Sequence, residues 1–318
     1  MYEFATGVIN VWEKRLLSIN DQERMLKAPD RASAFIVLFD TDLGEIIAGN
    51  MQKNLEDIFL EDLKALKRKL SYILDDKELL ESFLLLKFDA FNLKAFLKKK
   101  FLGDEAKKFK PFEFSLEPAE NILTEKCLNP HVQKLVNEAL RALNNNKASG
   151  YLINSQAIEA AVDRAYFNIK STIAKKEKAL LEMVALEIDV ANLRSFLGKE
   201  IEPFLTGGNL TVSQIESLAN RKEENISSNL KKFLEVLELS FLLDESQSHH
   251  TKATLEKKLD SYIAKKIFQK EKEKGSGIEK VLAFFQRKMN SYANIRLILF
   301  AKENGLSVSE IEGSLLPL

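Results

Sequence analysis

The sequence predicts an all-α protein built as a threefold internal repeat, and three observations carry that prediction. The first is a recurring segment. Asp89-Ala-Phe-Asn92-Leu-Lys94-Ala-Phe-Leu97 returns as Asp189-Val-Ala-Asn192-Leu-Arg194-Ser-Phe-Leu197 and, blurred, as Ser291-Tyr-Ala-Asn294-Ile-Arg296-Leu-Ile-Leu299, which sets the asparagines 100 and 102 residues apart. Self-similarity at a fixed period marks a repeat architecture. The second is apolar spacing. Leu79, Phe83, Leu86, Ala90, Leu93 and Leu97 step by three and four, as do Ile278, Val281, Phe285, Met289, Tyr292, Ile295 and Leu299, each set tracing one helical face. The third is composition: 318 residues include only 12 Gly and 6 Pro, with 30% charged residues, which favours long helices and few tight turns. No strand-like alternation competes.

Taken from the start, Phe4, Val8, Trp12, Leu16 and Ile19 define a first helical face, which Asn20-Asp21 is expected to break. A short helix to Ala28 follows. Pro29-Asp30 opens the next, expected to bury Phe35, Ile36 and Phe39 and to stop near Gly44. Residues 57–74 are amphipathic with a charged outer face, and Asp75-Asp76 caps the long helix bearing Asn92. Leu84, Phe88, Phe91 and Ala95 add a second apolar line to that helix, so it reads as central and buried. Beyond Gly103 a lysine-rich run leads into an extended segment at 111–114; residues 203–210 and 305–311 occupy comparable places after the other copies. Residues 211–213 and 307–309 offer hydroxyl caps to short helices. Pro130 opens a helix over 132–143, 144–150 reads as a loop, and 247–250 and 275–277 read as exposed turns. The repeats are placed at 1–117, 118–214 and 215–318.

Asparagine is a mediocre helix former and costly to bury unpaired. At one place in three buried helices, Asn92, Asn192 and Asn294 are expected to fasten each repeat's own packing. Lys+Arg and Asp+Glu are equal at 47 each, and a null net charge argues against a nucleic-acid protein. The one cysteine, Cys127, forms no internal disulfide and fits a reducing compartment. No stretch approaches the roughly 20 apolar residues of a bilayer span. A start carrying Glu3 and Glu13 without a basic lead is no signal peptide. The glycosylation triplets at Asn209 and Asn225 are therefore idle, and a cytoplasmic location is expected.

A search for chemistry finds no cofactor, metal or catalytic constellation. Residues 44–51 have a phosphate loop's glycine spacing but lack the Lys-Ser/Thr that grips phosphate and metal, so Gly44 and Gly49 are assigned to helix ends. Cys127 and His131 stand four apart across Pro130 with no third orienting group, which argues against a nucleophile–base pair. His249 and His250 are adjacent, point apart and lack a third ligand. Asp75, Asp76 and Glu78 could suggest the metal-binding carboxylates of a helical prenyl-chain enzyme, but a helix cap explains them.

Four motifs remain: Phe4-x-x-Gly7-Val8-Ile9-x-x-x-Glu13-x-x-Leu16-Leu17; Leu38-Phe39-Asp40-Thr41-Asp42-Leu43-Gly44; Asp189-x-x-Asn192-Leu193-Arg194; and Asn294-Ile295-Arg296-x-Ile298-Leu299-x-x-Lys302. On these the chain resembles, over essentially its whole length, the C-type subunit of the archaeal and bacterial A/V-type ATPases, itself similar to the d-type subunit of the eukaryotic vacuolar enzyme. Leu43 stands where an aromatic is usual, and Met289 and Ser291 depart from the acidic residues common before the last asparagine.

The resemblance implies three similar helical layers about a pseudo-threefold axis, forming a funnel. Its wide face would rest on the cytoplasmic side of a membrane proteolipid ring, and its cavity would receive the end of a coiled-coil axle. It implies a rotor component of the central stalk that transmits torque for proton or sodium transport, makes and breaks no bonds, and touches the membrane only peripherally. Lys94, Arg194 and Arg296 share one repeat position and are expected to gather toward that axis, lining the axle socket or pairing within the body. The run Lys94, Lys98, Lys99, Lys100, Lys107, Lys108 and Lys110 is either a solvated face or a docking patch for ring loops or anionic headgroups. The alternatives are an all-helical enzyme with an inter-repeat pocket, which requires convergent groups of shifted pKa, and a free-standing helical-repeat scaffold.

Overall fold

The computed structural model describes residues 2–49, 54–76, 79–103, 115–117, 121–122, 124–197, 205–210, 235 and 252–318, and the regular structure among them is helical, with no strand. In chain order the helices are α1 (Glu3–Trp12), α2 (Ile19–Lys27), α3 (Arg31–Ile36), α4 (Gly44–Gly49), α5 (Leu55–Ile73), α6 (Leu86–Leu102), α7 (Pro130–Ala148), α8 (Ser155–Ala174), α9 (Lys178–Leu197), α10 (Lys252–Lys274), α11 (Ile278–Asn304) and α12 (Val308–Ile311). The chain divides into two compact units, Met1–Asp75 with His250–Leu318, and Asp76–His249. The extended segment expected at 111–114, the caps at 211–213, the turn at 247–250, Asn225 and lysines 107, 108 and 110 lie outside the described residues.

In the first unit α11 is the central helix, contacted by α1, α2, α3 and α10. Trp12 packs against Phe284, tilted by 44° at 5.8 Å between ring centroids, where α1 docks on α11, and Ala5 and Ile9 are buried. Phe4 and Ile19, expected on the buried face, are exposed. The break after α1 also falls earlier than expected. The helix tightens into a 3-10 turn at Glu13–Arg15, and Ser18 starts α2 with a capping box in which Ser18 Oγ accepts from Asp21 N and Asp21 accepts from Ser18 N, both at 3.1 Å. Asn20-Asp21 is thus a helix beginning, not a break.

Asp30 caps α3 as expected, accepting from Ser33 N at 2.7 Å. The buried set that follows is Ala34, Val37 and Leu38, while Ile36 is exposed, because the chain winds into a 3-10 turn at Val37–Asp40 and the face advances by three residues per turn. Gly44 opens α4 where a helix end was expected. A Cβ there would stand 2.2 Å from the Phe39 carbonyl oxygen, so this approach of backbone to backbone requires glycine.

In the second unit Asp76 Oδ1 accepts from Leu79 N at 3.1 Å, the expected cap, but the helix it opens begins with a π-helical segment, Leu79–Leu85. Steps of three and four do not distinguish that winding from an ordinary α-helix. Asn129 caps α7 through bonds from His131 N (3.0 Å) and Val132 N (3.2 Å), and Pro130 occupies the first turn. Residues 144–148, expected as loop, continue α7, since asparagine is tolerated on an exposed helical face. α7 and α8 form a hairpin whose core holds Leu135, Ala139 and Leu143 against Ile158, Val162 and Ala165, together with Leu93 and Phe96 of α6.

Candidate functional site

Asn192 and Asn294 use their side chains in one way. On α9, Asn192 Nδ2 donates to Leu205 O (3.0 Å) and Asn192 Oδ1 accepts from Leu205 N (2.8 Å). On α11, Asn294 Nδ2 donates to Leu316 O (2.9 Å) and Asn294 Oδ1 accepts from Leu316 N (2.8 Å). Each amide satisfies both main-chain groups of one residue in the non-helical chain that follows its helix. Asn294 Nδ2 also donates to Gln22 Oε1 at 2.8 Å. Asn92 is equally buried on α6.

One turn earlier stands a partner to which the repeat pattern alone assigns no role. The Asp89 carboxylate accepts from Leu116 N (3.0 Å) and Glu117 N (3.2 Å); Asp189 accepts from Asn209 N (3.0 Å) and Leu210 N (3.3 Å). Both carboxylates are fully buried. Burial raises the Asp189 pKa, against the pull of the Asn209 and Leu210 donors. The strap must also come close. A Cβ on Gly208 would lie 2.1 Å from Asp189 Oδ1, and Gly207 sits at φ +98°. In the third copy the position belongs to Ser291, whose hydroxyl donates to Arg287 O within its own helix, and Asn290 Nδ2 holds the chain instead through Pro317 O (2.7 Å). A sequence signal for this role exists: Asp89 and Asn92, three apart on a helix, share a face.

Lys94 and Arg296, at the repeat position, pair locally. Lys94 meets Asp163 of α8 at 2.6 Å, and one turn on Lys98 meets Glu159, so two antiparallel helices are laced by consecutive pairs. Arg296 grips Glu56 through two bonds of 2.6 and 2.5 Å, with its guanidinium 4.8 Å over the Phe59 ring. Arg194 is half-buried on α9. Within the cationic run, Lys98 is buried and Lys100 is paired with Glu125 at 2.6 Å.

The densest polar structure lies along α11 in the first unit. Lys280 and Arg287 each bond both Glu13 and Glu271, at 2.5 to 2.8 Å, closing a ring of alternating charge. Burial opposes ionisation of Glu271, but bonds from Arg287 and Lys280 hold its carboxyl below the ordinary range; burial likewise opposes the Lys280 charge, yet Glu13 and Glu271 hold that ammonium above it. Further along, Lys288 bridges Asp42 (2.5 Å) and Asp62, and Tyr292 donates its hydroxyl to Asp62 at 2.5 Å. Burial raises the Asp42 carboxyl against the attraction of Lys288, and the neighbouring Asp62 adds to the rise. Asp42, Asp62 and Lys288 line a cleft of about 240 Å³ with Trp12, Leu66, Lys69 and Phe284. In the second unit Lys170 bonds Glu187 at 2.5 Å and sits 4.4 Å over the Phe83 ring. One sequence signal points here: cations within a buried helix must be paired.

This arrangement ties elements together: Glu13, Asp42, Asp62, Glu187 and Glu271 each meet a base directly. Cys127, considered as a nucleophile, has its thiol pushed up to about 11 by burial and by Glu117 and Asp89, away from the thiolate that attack requires. His249 and His250 lie outside the described residues, as do Glu78, Asn50 and Met51 of the other candidate motifs. Among the described residues no group of three His, Cys, Asp or Glu is placed to hold a metal, and no helix is long and apolar enough to cross a membrane. Compared with known families, residues 5–314 match the family described as ATP synthase (C/AC39) subunit. A comparison with curated proteins found no match.

Proposed function

Because the chain belongs to the ATP synthase (C/AC39) subunit family, we propose that it is a non-catalytic central-stalk component of an A/V-type rotary ATPase, joining a coiled-coil axle to the proteolipid ring and transmitting torque. The observation that carries this reading is the match over 310 residues, 5–314, which leaves almost none of the chain to another purpose. Its location is then the cytoplasmic face of a membrane-bound complex. The physical character of the chain supports the same reading. Torque passes only through a body whose helices cannot slip, and here α11 is tied to the turn that ends α1, to α5 and to α10 by directional bonds as well as apolar packing. The shared use of Asn192 and Asn294 supports three equivalent layers, with Lys94, Arg194 and Arg296 at matching places.

Co-purification from native membranes at low salt tests the proposal. Recovery with the catalytic ATPase components and the proteolipid ring is expected; recovery without either overturns it.

A further inference from the structure

The hairpin tip between α7 and α8 presents two large apolar side chains to solvent. Tyr151 is 70% and Leu152 90% exposed. They are held there. Gly150 turns the chain at φ +82°, Gly150 N donates to Lys147 O (3.1 Å) and Tyr151 N to Asn146 O (3.0 Å), which closes the end of α7. Ile153 packs on the core beneath, and Asn154 opens α8 by accepting from Ala157 N at 2.8 Å. The backbone of this apolar tip is fixed by hydrogen bonds on both sides.

Its surroundings indicate the occupant. Between Glu138 and Glu159 there is no acidic residue, while Arg141 and Lys147 are exposed cations and the rest of the polar surface is amide and hydroxyl. Among the described residues of α7 and α8, no other large hydrophobic side chain is exposed. Leu128 is exposed too, but precedes α7 and so lies roughly 28 Å away at a rise of 1.5 Å per residue. Two side chains fall far short of the ~800 Å² per partner of a stable protein interface. They suit a lipid interface, where a tyrosine ring sits at headgroup depth, a leucine reaches the acyl boundary, and nearby cations meet anionic headgroups.

We infer that the α7–α8 tip is a membrane foot, with Tyr151 and Leu152 entering the interface of an anionic bilayer and Arg141 and Lys147 above it. The inference rests on the reading that this chain works beside a membrane and adds a direct lipid contact to it. One foot gives weak, reversible binding.

The test is flotation of the purified full-length chain with phosphatidylcholine vesicles, with and without phosphatidylglycerol. Binding to the anionic vesicles that weakens with salt is expected. Tyr151→Ser with Leu152→Ser should lower it by roughly tenfold or more, from the apolar surface withheld from lipid, with thermal unfolding unchanged because both side chains are already exposed. Leu152→Phe should retain binding, and Lys147→Gln should reduce the preference for anionic lipid. Absence of flotation, or equal flotation of the double variant, overturns the inference. So does a double variant that floats normally but no longer recovers the other ATPase components, since the tip would then be a protein contact. Loss of the rotary reading would show instead in co-purification, leaving the vesicle result standing.

Discussion

Replacing Asn294 by alanine removes bonds to Leu316 N (2.8 Å), Leu316 O (2.9 Å) and Gln22 Oε1 (2.8 Å). A typical hydrogen bond contributes about 1 kcal/mol net, and a donor left buried without a partner costs about 1–3 kcal/mol, so the clamp should contribute about 2–4 kcal/mol to holding the last residues. Asn290 still holds Pro317, so the effect is confined to the chain end rather than spread over the first unit. Hydrogen exchange at the Leu316 amide should accelerate by roughly 30-fold to 1,000-fold, at tenfold per 1.4 kcal/mol. Asn294→Asp is the informative control. It keeps the acceptor for Leu316 N but sets a carboxylate oxygen against Leu316 O, so that protection should fall although the side chain has the same size. Asn192→Ala should release Leu205 in the same way. If Leu316 exchange is unaltered in Asn294→Ala, the clamp reasoning fails; if only one of the two alanine variants responds, the equivalence of the repeats fails.

Gly208→Ala should destabilise the second unit by about 1–3 kcal/mol in chemical denaturation, because the new Cβ overlaps Asp189 Oδ1 and displaces the carboxylate from the strap. Glu271 has a folded pKa below its ordinary 4.5, so its stabilisation is complete above that value and is lost as pH falls through the lower one; Glu271→Gln should flatten the acid limb of a stability–pH curve and cost about 2–4 kcal/mol at pH 7. Asp42 carries the opposite sign: its raised pKa means that protonation on acidification favours the folded form. Asp42→Asn should therefore change stability at pH 7 by no more than about 1 kcal/mol, whereas Asp62→Asn, which weakens both the Lys288 and Tyr292 contacts, should cost clearly more. With its thiol moved from 9.0 to about 11, Cys127 should be alkylated at pH 8 about a hundredfold more slowly in the folded chain than after denaturation.

What can be read from the sequence follows the range of the forces involved. Helical class and the paired asparagines are legible because both are written as spacing within one segment. The helix starts at Asp30, Asp76, Pro130 and Ser307 are legible for the same reason, Ser307 closing a capping box with Glu310. Local reading fails where winding changes without a change of residue type: the 3-10 turn that exposes Ile36, the π segment at Leu79–Leu85, and an α7 that runs on through residues 144–148. Asn20-Asp21 misleads because the residues that break a helix also begin one. The ion pairs are out of reach in identity, since Lys288 and Asp42 stand 246 positions apart and Tyr292 and Asp62 stand 230 apart. Only their existence can be expected, from charge on a helix too apolar to face water.

Buried charge on α11 fixes register rather than adding stability. Apolar burial is non-directional, so helices bound only by it could slide or rotate while losing little contact. A buried ion pair adds no more stability than a well-packed apolar pair of the same volume. Register is a different matter. Turning α11 about its axis would separate Lys280 and Arg287 from Glu13 and Glu271, and Lys288 and Tyr292 from Asp62, leaving each charge buried and unpaired. The penalty for rotation is therefore steep although the net contribution to folding is modest. The torque transmission proposed above needs that combination.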